Sequence, residues 1–265
     1  MKAMIFAAGL GTRLKPLTDT LPKALVPVCG KPLIEHVLNK LAAAGITETV
    51  VNVHHFADML EEWLAGRSCA GGNSEMKIYV SDEREMLLDT GGAVLHARPF
   101  LENCGNFLVH NVDILSNCNL QRFVSMAGND AVATLLVSRR KTRRYLLFEP
   151  DTMRLAGWTD TSTGRVRMSG TGVALSDCAA LAFSGIHILS DKIFGIMEEY
   201  VRANAQDGGS VNPEKFSITD FYIEMAARYP IYGVCDDSLE LLDVGKLDAL
   251  APAEAFLNEQ KYLTL

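Results

Sequence analysis

The sequence is short of several features that would mark other kinds of protein. Its six cysteines, at 29, 69, 104, 118, 178 and 235, include no Cys-x-x-Cys pair, which argues against a zinc site or a redox dithiol and for reduced, core-filling thiols. No apolar run reaches membrane-spanning length, and the opening MKAMIFAAGLG is too brief for a secretory leader. Positive charge is scarce: 25 Lys and Arg against 32 Asp and Glu leave a formal charge of −7, unlike a nucleic-acid or anionic-membrane surface. The six histidines show no ligand spacing, and the adjacent His54 and His55 read as structural. Internal repeats are missing too, so a solenoid is excluded. Together these absences point to a cytoplasmic protein.

What is present is a chain of 265 residues, 48% apolar, enough for one large α/β domain or at most two small ones. Through the first half, strand and helix patterns alternate. Strands are expected at 2–8, 48–54, 75–81 and 106–111, and helices at 31–45, 55–66 and 91–101, with Pro32 and Gly45 marking the ends of the first helix. Such alternation implies parallel strands with crossover helices on both faces. The second half is less regular. Strands are expected at 131–138, 180–190, 231–237 and 239–245, and helices at 121–128, 191–202, 217–229 and 246–260, the last despite Pro252. Residues 139–178 are rich in Arg, Thr, Ser and Gly, and read as a β-rich flap because YLLFE and RLAGW carry apolar residues that want burial. Open α/β sheets place ligands beyond the carboxyl ends of their parallel strands, so the loops at 8–23, 89–92, 111–117 and 243–246 are the candidates.

The first of these loops, AAGLGTRLKPLTDTLPKALVPV, follows a buried-looking strand. It is not a P-loop, because Gly9 and Gly11 are one residue apart and Thr12-Arg13 follow in place of Lys-Ser/Thr. The dinucleotide fingerprint fails as well, since Leu14 occupies the place of its third glycine. There remains a tight glycine turn in which backbone N–H groups, Arg13 and Lys23 can hold an anion, or else a solvated turn with surface cations.

Taken whole, AAGLGTRLKPLTDTLPKAL resembles the signature of the sugar-1-phosphate nucleotidylyltransferases, without a break from Ala7 through Lys23 and on into VPVCGKPLIEHVLNKLAAAGI. The resemblance implies a Rossmann-like α/β nucleotidyltransferase domain over residues 1–265, with a mixed, mostly parallel sheet. It implies nucleotide-binding roles for Ala7, Gly9, Gly11 and Thr12, a phosphate role for Arg13, and a role at the α-phosphate and sugar phosphate for Lys23. LLDTGGAV resembles the family's second glycine loop, placing Gly91 and Gly92 against base or ribose. FLVHNVDIL and LELLDVGKLDAL resemble the two segments that supply a pair of aspartates, here Asp113 and Asp243, for Mg²⁺. Asn111, with Ser184 and Gly185 of AFSGIHIL, falls on the sugar side.

The implied reaction is attack by a sugar 1-phosphate oxygen on the α-phosphorus of a nucleoside triphosphate, UTP or GTP, releasing pyrophosphate. Three positions depart from the family pattern: Val112 stands for glycine between Asn111 and Asp113, Lys246 for threonine, and Leu241 for an aromatic residue. Val112 and Lys246 are the features that favour the alternative, a nucleotide-sugar sensor that keeps the fold without turnover. No hexapeptide repeats follow, so the β-helical acetyltransferase domain of longer members is expected to be absent.

Overall fold

Alternate residues of the opening strand β1 (Lys2–Phe6) enter different cores: Ala3 and Ile5 pack in one, Met4 in the other. A strand sided in this way must lie in a sheet covered on both faces. The computed structural model describes residues 1–69, 76–206 and 212–259. Glu75 and Gln260, expected at the start of a strand and the end of the last helix, lie outside the described residues, as does the Cys69 side chain.

After β1 come the two-residue strands β2 (Pro27–Val28) and β3 (Lys31–Pro32), then α1 (Leu33–Ala43), β4 (Glu48–Val53), α2 (Ala57–Cys69), β5 (Lys77–Asp82), α3 (Asp89–His96), α4 (Arg98–Leu101) and β6 (Asn106–Asn111). Gly45, at φ +78°, closes α1 in the left-handed conformation that glycine adopts without strain. The single helix expected over 91–101 is instead two, parted at Ala97, because Pro99 supplies no N–H and its ring crowds the preceding turn.

The second half continues with β7 (Ile114–Ser116), α5 (Leu120–Ser125), β8 (Ala133–Ser138), β9 (Arg144–Phe148), β10 (Leu155–Asp160), β11 (Arg165–Met168), β12 (Ala179–Ser190), α6 (Ile193–Gln206), α7 (Ile218–Met225), β13 (Ile231–Cys235), β14 (Leu241–Asp243) and α8 (Leu250–Asn258). Pro252 is accommodated in the first turn of α8, where its missing N–H has no intrahelical partner to lose.

The strand order is β11-β10-β9-β12-β6-β1-β4-β5, with β8 pairing both β12 and β13. Strands β6, β1, β4 and β5 run parallel, β13 runs parallel to β8, and β12 is antiparallel to β6, β8 and β9. The sheet is thus mixed and mostly parallel in its centre, as the sequence pattern implies. Helices α1, α2, α5 and α8 bury their apolar sides in the core on one face, and α3, α6 and α7 in the core on the other. The order reverses around β1, since β4 lies on one side and β6 on the other, the switch point beyond whose carboxyl ends open α/β sheets place ligands. Among the described residues no helix is long and apolar enough to cross a membrane.

Candidate active site

The loop after β1 is built from inside. Its first two backbone N–H groups, at Ala7 and Ala8, donate to Asn52 Oδ1 at 2.7 and 3.4 Å. Asn52 in turn donates to Glu83 Oε1 at 2.8 Å, and both side chains are buried. Burial pushes the Glu83 carboxyl above its ordinary range, against the opposing pull of its bonds from Asn52 and the Leu88 N–H. This pair joins the ends of β1, β4 and β5, and it answers the question of where the buried N–H groups of the loop go. It was not among the residues singled out from the sequence. Its signal was a polar residue in the apolar run of ETVVNV.

Gly11, at φ +64°, leads into a short 3₁₀ turn over Thr12–Leu14. A Cβ there would come 2.7 Å from Thr18 Cγ2 and 3.2 Å from Lys23 Cβ. The glycine therefore serves both the left-handed turn and the close return of the loop, which Thr18 fastens by donating to the Gly11 carbonyl at 2.8 Å. Gly9 is less constrained, with Lys23 Cδ at an ordinary 3.9 Å from its Cβ position. Ala7 is buried, whereas Thr12 and Arg13 are exposed at the mouth.

Asp113 and Asp243, 130 positions apart in the chain, meet because β7 and β14 pair antiparallel with Asp243 opposite Ile114. Val244 N–H donates to the Asp113 carbonyl at 2.8 Å, and Asn117 clamps the far end through bonds to Ser238 and Glu240. Lys40 reaches from α1 to hold the Ser116 carbonyl at 2.8 Å, buried deeply enough that its ammonium falls to about 8. Gly245 then sits where three side chains converge. A Cβ on it would lie 2.6 Å from Asp243 Oδ1, 2.7 Å from an Arg13 Nη and 3.3 Å from Asp113 Oδ2.

Lys23 makes an ion pair with Asp113, each side chain only 13% exposed. Asp243 reaches solvent on its open side, yet its pKa is raised, first by desolvation among its neighbours and then by the charge of Asp113. Lys23, the Gly245 N–H and Arg13 oppose the rise. Two carboxylates crowded in this way, with a solvent-open side, are a donor set suited to a hard divalent cation that keeps waters and phosphate oxygens. The first loop and the β7–β14 pair therefore bring Arg13, Lys23, Asp113 and Asp243 together.

The remaining expected residues are placed as follows. At Gly91 a Cβ would meet the Phe216 ring at 2.3 Å, and at Gly92 the Glu214 carbonyl at 2.1 Å, so the chain itself fills that space. Gly91 N–H donates to the Phe216 carbonyl at 2.8 Å, which fixes the start of α3 against the segment before α7. Asn111 and Gly185 touch, with Asn111 Nδ2 2.7 Å from a Cβ at Gly185, whose φ of +77° coincides with a break in the β12–β8 register. Ser184 is buried and its Oγ accepts from Ile186 N–H, so its side chain is used within β12. Val112 is buried in the core that also holds Ile5 and Ile114.

The sequence pattern of the nucleotidyl transferase family matches residues 2–167. The N-acetylmuramate alpha-1-phosphate uridylyltransferase of Caulobacter vibrioides is 36% identical over 263 residues, 97% of this chain and 97% of that protein. Mannose-1-phosphate guanyltransferase beta-B of Xenopus laevis is 37% identical over 115 residues, 43% of this chain and 31% of its own length. Among solved structures, the UDP-glucose pyrophosphorylase of Acinetobacter baumanii superposes with a TM-score of 0.72 at 19% identity, over 98% of this chain and 95% of that one, a likeness of fold. With its family pattern matched over well over half the chain and a relative aligned along nearly all of it, the chain belongs to the nucleotidyl transferase family, the sugar-1-phosphate nucleotidylyltransferases that its opening loop resembles.

Proposed function

We propose that the chain transfers a uridylyl group from UTP to a sugar 1-phosphate, N-acetylmuramate 1-phosphate first among candidates, giving the nucleotide-sugar and pyrophosphate. The observation that carries this is the convergence of Arg13, Asp113 and Asp243 around Gly245, with Lys23 on Asp113. The acceptor and nucleotide follow the relative aligned along the whole chain. GTP with a mannose 1-phosphate is the second pair to try, after the relative matched over the first part.

In this reading an oxygen of the sugar phosphate, already ionised at neutral pH, attacks the α-phosphorus. The bond to the pyrophosphate oxygen breaks, and no protein nucleophile or general base is required. Asp113 and Asp243 would hold Mg²⁺, which when bound neutralises the phosphate oxygens. Lys23 exchanges Asp113 for the attacking phosphate and fixes its approach. Arg13, at the exposed mouth, meets the charge that develops on the leaving pyrophosphate. The N–H groups of the turn at Gly9–Thr12 lie along the nucleotide, and Asn111 with Gly185 borders the sugar.

Pyrophosphate release settles the matter. Wild-type protein with Mg²⁺ is offered UTP, GTP, dTTP, CTP and ATP against N-acetylmuramate, N-acetylglucosamine, glucose and mannose 1-phosphates. UTP with N-acetylmuramate 1-phosphate should lead. Binding of nucleotide-sugar without pyrophosphate from any pair would instead make the protein a sensor.

A further inference from the structure

Strands β9, β10 and β11 form an antiparallel meander in which directly opposed residues share a face. Arg144, Asp160 and Arg165 make one row, and Leu146, Trp158 and Arg167 the next. That face and the start of α7 enclose a groove of about 600 Å³, whose lining also includes Arg140 and Phe183. The lining includes four arginines against one acid, Asp220, in a chain whose net charge is −7.

Two of the arginines are already matched, Arg167 with Asp220 and Arg144 with Asp160 at 3.5 Å. Arg140 and Arg165 have no carboxylate in salt-bridge range among the described residues. Arg140 donates through Nη2 to the Phe183 carbonyl at 2.8 Å, but its Nε is buried with no hydrogen-bond partner. Burial opposes its charge and Asp243 supports it, so this guanidinium stands within electrostatic reach of the reaction centre. Phe183 is also two residues from Gly185, which touches Asn111. The groove thus adjoins the expected sugar position.

We propose that this groove is the subsite for a carboxylate carried by the sugar of the acceptor, with Arg140 and Arg165 as its specificity-determining cations and Trp158 offering an apolar wall to the ring. The proposal rests on the nucleotidylyl-transfer reading above and adds to it the residues that would distinguish an acidic sugar from a neutral one. A neutral hexosamine leaves both guanidinia unmatched. A carboxylate supplies the planar acceptor that an arginine fork fits.

The test compares N-acetylmuramate 1-phosphate with its methyl ester and with N-acetylglucosamine 1-phosphate, by pyrophosphate release with UTP and by calorimetric binding to the whole chain. Wild type should prefer the acid over the ester by about 10- to 100-fold, through KM, the scale of a charged hydrogen bond. Arg165→Leu, on an exposed strand, and Arg140→Leu should each cut that ratio about tenfold, and Arg165→Lys should restore part of it. Equal turnover and equal binding of acid and ester by wild type overturn the subsite and leave the transferase reading standing. Losses that fall on the KM for UTP also overturn it, by assigning the arginines to the nucleotide. Preference for the acid in calorimetry without pyrophosphate from any acceptor keeps the subsite and overturns the transferase reading. Glucose 1,6-bisphosphate is the remaining probe, and its binding in place of the acid would make the groove a second phosphate site and overturn the carboxylate assignment.

Discussion

The loop after β1 and the β9–β11 flap are built in opposite ways. The loop is held from below by buried polar groups: Asn52 accepts from its Ala7 and Ala8 N–H groups, Glu83 holds Asn52, and Thr18 donates to its Gly11 carbonyl. Its Lys23 is paired with Asp113 at 13% exposure. The flap ends in β11, whose four residues are all exposed, and it carries Arg165 with no carboxylate partner among the described residues. A preorganised frame suits a reaction whose charge distribution is the same for every substrate. An open, cationic sheet face suits recognition of whatever the sugar carries. The difference teaches where to expect losses of rate and where to expect losses of selectivity.

The largest effect should come from the carboxylates. Asp113→Asn or Asp243→Asn should lower kcat by about 10³ or more, the scale of removing a metal ligand from a phosphoryl-transfer centre, with little change in Tm measured without metal. Near-normal Mg²⁺-dependent kcat in both variants would remove the pair from the reaction. Next, Arg13→Ala should reduce kcat by about 10², because its contribution grows with the leaving group's charge. A change confined to KM would make it a binding residue whose loss falls on affinity and not on rate.

Smaller effects test the frame itself. A methyl at Gly92 would come 2.1 Å from the Glu214 carbonyl, so Gly92→Ala should cost about 1–3 kcal/mol, read as a lower urea midpoint. An unchanged midpoint would show that the segment before α7 moves freely. Smallest is a pH effect beneath the sheet. His187, bonded through Nδ1 to the Tyr222 hydroxyl at 2.6 Å, is pressed by burial, and then by His110, down to about 3, while burial takes His110 to about 4. Both lie below the ordinary histidine value, so the folded state favours the neutral rings. The stability they support is whole above pH 6.5 and is lost as pH falls from there toward their folded values. Between pH 6.5 and 5.5 the loss should be roughly 1 kcal/mol per histidine. His187→Gln should flatten that slope in urea titrations, and an unaltered slope would place the acid sensitivity elsewhere.

Much of this was legible in advance where the chemistry is local. The strand and helix alternation, Gly45, Gly11 and the motif from Ala7 to Lys23 all depend on neighbours in the chain. Gly91 and Gly92 were legible as glycines but not in their reason, since the atoms they avoid belong to Glu214 and Phe216. Val112 looked like a departure at the cleft. It is a core residue, buried in the turn between β6 and β7.

The sequence by itself determined a mixed, mostly parallel α/β frame and a tight glycine turn after the first strand, because strand and helix periodicity and turn chemistry are written in adjacent residues. Only the tertiary structure decided that Gly245 is the point where Arg13, Asp113 and Asp243 meet, and that Asn52 and Glu83 hold the loop from below. It also decided that arginines from β9, β11 and the segment after β8 line one groove. Each of these joins residues tens to hundreds of positions apart, and such meetings depend on sheet order and register, which local pattern does not contain.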